Sequence, residues 1–240
     1  MPAGMDLELT NKYGDVFLSE RLGLTRVDLS NGNIKAEEIK GDAHLTIRYG
    51  NADINSLESA NIVLKSAELN LDQVEELSMQ SNSSTVNLGL VEQAELNSRT
   101  DKIAIKWSGR LSGKTSFSKL RLTHVESNLD LDTNYGAITL ERVDPQFTEV
   151  LIRGNSTDVD LTFDHMAYFA VRIVAKDGKF TLPSDHGLNQ VYTDGTEKFI
   201  KSTGNLGKPK SNPGEVIVDA KGGRVVLDFA PFEAQSNKQN

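Results

Sequence analysis

One interval governs this chain. The residues Leu18, Ala36, Ile54, Leu71, Leu88, Ile105, Leu122 and Leu140 follow one another at steps of 18, 18, 17, 17, 17, 17 and 18. Leu161, Leu182 and Leu227 continue the series at 21, 21 and 45. Two residues before each anchor stands another small or apolar residue, from Val16, Ile34 and Ala52 to Val159, Phe180 and Val225. A spacing of two is the side-chain alternation of a β-strand. Four residues before the anchor is a turn position, occupied by Gly14, Gly32, Gly50, Ala67, Ser84, Asp101, Ser118, Gly136, Thr157, Gly178 and Gly223. Glycine there predicts a positive φ. Upstream of the turn runs a second alternating stretch, as in Leu7/Leu9, Leu45/Ile47 and Leu129/Leu131. A third apolar position follows the anchor: Ile39, Leu57, Val74, Val91, Trp107, Val125 and Val143.

Each unit is therefore strand, tight turn, strand, corner. A unit this short cannot bury its own apolar face, so it must stack on its neighbours. Stacked units pair their strands in parallel, and parallel crossovers are right-handed. The expected fold is all-β: a single-stranded, right-handed parallel β-helix, or β-solenoid, with 17–21-residue coils. About eleven coils at the usual strand spacing give a rod of roughly 50 Å. A β-sandwich would place strands every 8–12 residues without likeness between units, which does not describe this chain.

The organisation reads as one solenoid domain over residues 1–240, with coils at about 7–183 and 215–229. Asp144-Pro145 and Asp164-His165-Met166 read as insertions at corners. Residues 184–214 read as a long lateral loop with a short hairpin around Asp194-Gly195, and residues 230–240 as a polar tail. The exposed terminal coils are sheet edges, which invite a cap, a partner or self-association into a homo-oligomer. The opening MPAGMDLELT has neither a basic segment nor an apolar one of signal-peptide length, and strand alternation starts at once. That start reads as a chain trimmed behind a removed signal or anchor.

Composition narrows the functional classes. With 26 Lys+Arg and 34 Asp+Glu, the net charge is 26 − 34 = −8. That balance argues against a nucleic-acid binder working by phosphate neutralisation. There is no cysteine, hence no disulfide, thiolate metal site or cysteine nucleophile. No apolar run reaches membrane-spanning length.

Three units share an Asn-Tyr-Gly-like corner followed by an alternating strand: Asn11-Lys12-Tyr13-Gly14-Asp15-Val16, Ile47-Arg48-Tyr49-Gly50-Asn51-Ala52-Asp53-Ile54 and Leu131-Asp132-Thr133-Asn134-Tyr135-Gly136-Ala137-Ile138. The stretch from Lys176 to Asp185 has a related look. These units resemble the bacterial adhesin β-solenoid families, including the head GIN domain of autotransporter-like adhesins, over about residues 7–229. The resemblance implies a solenoid, an extracytoplasmic location at the periplasm or cell surface, and a non-enzymatic binding role toward a glycan or protein. It carries no catalytic residues.

Asp158 and Asp160 flank inward Val159, so they share an outer face about 7 Å apart. With Asp164 nearby, they are the candidate carboxylates of a pectinase-like polysaccharide lyase or hydrolase, which needs an acid and a base across the scissile bond. The basic and Gly-His-Gly elements that such hydrolases pair with them are missing. The four histidines, His44, His124, His165 and His186, show no metal-ligand spacing, and no cofactor is expected. Tyr13, Tyr49 and Tyr135, with Phe117 beside them in register, form an interrupted aromatic row at the corners that could stack on sugar rings. Lys102, Lys106, Arg110, Lys114, Lys119 and Arg121 make the middle coils locally basic, which would suit an acidic glycan. The leading expectation is an adhesin-like binding module. Its alternatives are the enzyme and a structural envelope scaffold stacked end to end.

Overall fold

In a computed structural model of the chain, residues 2–183, 189–193, 199–207 and 213–230 are described. The strands are β1 (Leu7–Asn11), β2 (Val16–Leu18), β3 (Thr25–Ser30), β4 (Asn33–Ile39) and β5 (Ala43–Arg48), followed by five long ones. These are β6 (Asn51–Lys65), β7 (Glu68–Asn82), β8 (Thr85–Arg99), β9 (Lys102–Ser116) and β10 (Lys119–Asn134). Then come β11 (Ala137–Val143), β12 (Glu149–Asn155), β13 (Asp158–Phe163), β14 (Tyr168–Lys176) and β15 (Lys179–Thr181). The last are β16 (Asn189–Thr193), β17 (Phe199–Gly207), β18 (Gly214–Lys221) and β19 (Arg224–Phe229). The fold is a right-handed β-solenoid, as the repeat requires.

Nine coils stack in chain order, from β1–β2 to β12–β13. Each coil has a first face before a tight corner and a second face after it. Neighbouring coils keep one register: Val27↔Leu45↔Ile62↔Met79↔Leu96 on the first face and Ile34↔Ala52↔Leu69↔Val86↔Ile103 on the second. These ladders are the core, and they are almost wholly buried. The long strands bend where inward residues come three apart, as at Ile54, Leu57 and Ala60. That bend replaces a second tight corner. The insertions at Pro145-Gln146 and His165-Met166 sit between β11 and β12 and between β13 and β14.

The tight corner differs from its sequence expectation. The expected positive φ is found at Gly14 (101°) and Gly223 (79°), but at the other corners it falls one residue earlier, on Asn31, Tyr49, Ser66, Ser83, Thr100, Phe117, Tyr135, Ser156 and Asp177, at φ of 50–62°. A left-handed non-glycine residue costs roughly 1–2 kcal/mol. Here the ladder continues through the bend and offsets that cost: the Tyr49 N–H donates to Lys65 O, Ser66 to Asn82, Ser83 to Arg99 and Thr100 to Ser116, at 2.8–3.0 Å. The following glycines serve close approach instead. A Cβ on Gly50 would lie 2.0 Å from the Gly32 carbonyl oxygen, and one on Gly32 equally close to that of Gly14.

Two further departures concern order and packing. After β13 the chain skips a level before laying down β14–β15. The hairpin β16–β17 then pairs antiparallel on the outer side of β14. Finally β18–β19 enters the vacant level, with β18 between β12 and β14 and β19 between β13 and β15. The segment expected as a lateral loop thus carries sheet. The turn at Asp194-Gly195 and the polar tail beyond Ala230 lie outside the described residues. Phe147, Phe163, Phe169 and Phe229 cluster at centroid distances of 4.3–6.3 Å around this inserted level.

The second departure is in β9. Trp107 is not the inward residue, because the inward position lies three residues past the anchor in the adjoining coils, at Val91 and Val125, and Trp107 is only two past it. Ser108 takes the place, in register with Val91 and Val125 and fully buried, and its hydroxyl has no partner. An unpaired buried hydroxyl costs about 1–3 kcal/mol. Ser108→Val should therefore be more stable than its isostere Ser108→Thr by about that amount, read as the difference in urea midpoint at equal m-value.

Candidate functional site

The corner that shapes the coil also shapes the surface. Because the left-handed residues of coils 2 to 5 are followed by the small residues Gly32, Gly50, Ala67 and Ser84, the edge between the two faces is hollowed there rather than ridged. Along coils 2 to 5 it forms an open groove of about 680 Å³, floored by Gly32, Gly50 and Ala67 and walled by Tyr49. Asn31, Asn33, Asn51 and Glu68 supply its polar lining. Two of its asparagines belong to a side-chain ladder: Asn33 Nδ2 donates to Asp15 at 2.7 Å and Asn51 Nδ2 to Asn33 at 3.1 Å. One column over, Asn70 donates to Asp53 and Asn87 to Asn70, both at 2.8 Å.

A second trough of about 330 Å³ continues from the first, sharing Thr85. Its floor is low because the outward residues of the second face there are small: Ala104, Ala137 and Thr139. Its rim is cationic: Lys102, Lys119 and Arg121. Arg121 is held by Glu141, with Nε 2.6 Å from the carboxylate. The basic cluster read from sequence is therefore split. Lys102, Lys106, Lys119 and Arg121 lie on the second face, whereas Arg110 and Lys114 lie on the first.

The three tyrosines share the corner but not one patch. Tyr49 lines the first groove, half-exposed. Tyr135 stands five coils further on, about 24 Å away by strand spacing. It stacks on Phe117 with ring centroids 5.1 Å apart and planes within 9°. Tyr13 is the most exposed, at the first coil, where Lys12 lies over its ring.

The candidate carboxylates are placed differently again. Asp158 accepts the Arg224 N–H at 2.9 Å, and Asp160 pairs with the Arg224 guanidinium at 2.8 Å. Both thus dock the inserted strand β19. Asp164 lies four residues past Asp160, about 13 Å along an extended chain, in the turn that skips a level. Its carboxylate pairs with Arg142 at 2.7 Å and accepts the Met166 N–H at 2.9 Å. Burial pushes its pKa up, but the Met166 N–H, Arg142 and His165 outweigh burial and hold the carboxyl below its ordinary value. The three carboxylates do not converge on a common point. His124 approaches Asp144 at 3.8 Å and His165 approaches Asp164 at 3.4 Å, while His186 lies outside the described residues.

Sequence reading passed over a buried polar seam inside the same corner. On the first face Leu29, Ile47 and Leu64 give way, in register, to Ser81, Ser98, Thr115 and Thr133. Asp101, 2% exposed, sits among them. Its carboxylate accepts the Ser81 and Ser98 hydroxyls at 2.6 and 2.7 Å and the Ser84 and Arg99 N–H groups at 2.6 and 3.0 Å. The signal was present as hydroxyl residues at 17–18-residue steps where the alternation demands apolar ones. No family model matches the chain, and no characterised protein or solved structure is significantly similar to it.

Proposed function

We propose that this chain is a non-enzymatic, extracytoplasmic binding module that holds an extended polysaccharide along the tight corner of the solenoid. The observation that carries the reading is the run of two connected troughs along that corner, with Tyr49 on one and the Phe117–Tyr135 stack beside the other. A flat aromatic face takes the apolar face of a sugar ring, and side-chain amides take its hydroxyls. Corner positions repeat every coil, so a polymer with a regular repeat meets a regular surface. The enzyme alternative has less support, since Asp158 and Asp160 are occupied by Arg224 and line neither trough. End-to-end stacking is likewise disfavoured at one end, where β17 covers the outer edge of β14.

The test is incubation with acidic and neutral polysaccharides followed by size-exclusion chromatography. Co-elution of protein with full-length polymer is the expected result, weakened by Tyr49→Ala and by Tyr135→Ala. Shortened polymer would replace this reading with the enzyme, and separate elution from every polymer would remove it.

A further inference from the structure

We infer that the second trough is an anion site and that the polymer held along the corner is an acidic polysaccharide, its carboxylate or sulfate groups received by Lys102 and Lys119. This rests on the reading of the corner as a polysaccharide site and names the class of its ligand.

The two lysines are direct register partners on adjacent parallel strands of one face. Their backbones are therefore about 4.8 Å apart. Like charges placed opposite each other across strands are destabilising, and an acidic neighbour normally relieves them. Neither lysine has an ion pair among the described residues. The residues that flank them in the same column are Thr85 on one side and Ala137 on the other, both uncharged. In the neighbouring column stand Asn87, Ala104, Arg121 and Thr139. Among the described residues, the only carboxylate engaged there is Glu141, which holds Arg121. A chain of net charge −8 thus keeps three cations around one hollow and balances only one of them. Elsewhere on this rod some surface cations are paired, Lys40 between Glu20 and Glu38, Arg48 on Asp28 and Arg153 between Asp130 and Asp132, while Lys35, Lys65 and Lys106 have no ion pair among the described residues; Lys102 and Lys119 differ from those three in lining one hollow together.

Shape and surroundings select the polymer. The 330 Å³ hollow is at the lower end of sites that hold small ligands, roughly 300–1,000 Å³. The Phe117–Tyr135 stack stands two residues before Lys119 and Ala137, so an aromatic wall adjoins the cations. That pairing of a ring surface with a charge fits a sugar carrying an acid group. Acidic residues bracket the hollow along the rod: Glu68 and Asp53 toward the amino-terminal coils, Asp158 and Asp160 beyond Ala137 and Thr139. With Asp158 and Asp160 engaged by Arg224, a ligand with dense, unbroken phosphate charge would meet repulsion at the Glu68 and Asp53 end. A glycan with spaced acid groups would not.

Titration calorimetry with polygalacturonate, with its fully methyl-esterified form, with dextran and with a single-stranded oligonucleotide tests this. Three proteins are compared: the unaltered chain, the double variant Lys102→Glu/Lys119→Glu, and Lys114→Glu on the opposite face, each checked for folding by thermal melting. The expected result is binding of polygalacturonate that the double variant weakens by at least about tenfold and that falls steeply between about 50 and 200 mM salt, with Lys114→Glu unchanged. The methyl ester, uncharged on the same backbone, should bind as weakly as the double variant binds the acid. Equal affinity for acid, ester and dextran, insensitive to the double variant, would overturn the anion site and leave the corner reading standing. Preference for the oligonucleotide would overturn it in favour of another polyanion. Binding to none of the polymers would overturn both.

Discussion

Val218→Asp should detach the last coil and leave the rest of the rod intact. Val218 is fully buried in β18, in register between Ile152 and Ile173, at a level that the chain fills out of order. A carboxylate there has no described cation to meet, and burying an unpaired charge costs several kcal/mol. Excluding the strand is the cheaper outcome. Its loss would strip β12, β13, β14 and β15 of a hydrogen-bonding neighbour at once and remove Phe229 from the cluster with Phe163 and Phe169. Stacked repeats are stabilised by nearest neighbours, so the damage should stay local. Hydrogen exchange is the measurement. Amides of residues 149–181 and 214–229 should lose protection by a factor corresponding to about 4 kcal/mol or more, while those of β6 to β9 keep theirs. Uniform loss of protection along the whole chain would show that the rod unfolds as one unit and that the inserted coil is not a separable clasp.

That inserted coil marks the limit of what the repeat can say. The spacing of Leu161, Leu182 and Leu227 identifies strands, and each of the three lies in or beside one. It does not identify neighbours, because β12, β14 and β18 present the same alternation and each could pair with either of the others. The choice is made by the turn at Asp164 to Ala167, which carries the chain past a level, and by the hairpin, which takes the outer edge of β14. The corner was legible in position but not in mechanism. Glycine in the sequence points to a left-handed glycine, which holds at Gly14 and Gly223, whereas at Tyr49 and Tyr135 stacking imposes the left-handed conformation on the tyrosine and needs Gly50 and Gly136 next to it for clearance. The candidate site was legible by pieces. Tyr49, Tyr135, Lys102 and Lys119 stand out in the sequence. Only the register shows that two of them share one trough, that the tyrosines serve different segments of the corner, and that Arg110 and Lys114 face the other way.

Asp101→Ala should be the most destabilising single side-chain truncation in the middle coils, at about 3–5 kcal/mol. The reason is the geometry of the polar seam rather than its mere presence. All four groups aimed at the carboxylate can donate, and two of them, the Ser84 and Arg99 amides, can do nothing else. Removing the acceptor takes the partner from both amides, and that of Ser84 is buried. The Ser81 and Ser98 hydroxyls can turn elsewhere, since Ser118 Oγ lies 2.9 Å from Ser98 Oγ. Asp101→Asn is therefore the informative comparison. One side-chain oxygen survives and can keep the hydroxyls and the Arg99 amide. The new NH₂ then faces the Ser84 N–H, donor against donor. Its cost should be intermediate, about 1–3 kcal/mol. Urea denaturation of the two variants at one pH gives the order directly. Asparagine as costly as alanine would mean that the seam depends on charge rather than on acceptor count. Both near zero would mean that water enters the corner and satisfies the amides. Because Asp101 lies one residue before Lys102, an intact fold in the asparagine variant also permits a second reading from the same protein. Polysaccharide binding that survives Asp101→Asn while the corner loosens would place recognition in the outer side chains alone. Binding that falls with the seam would show that the rigidity of the corner holds Lys102 and Lys119 in position.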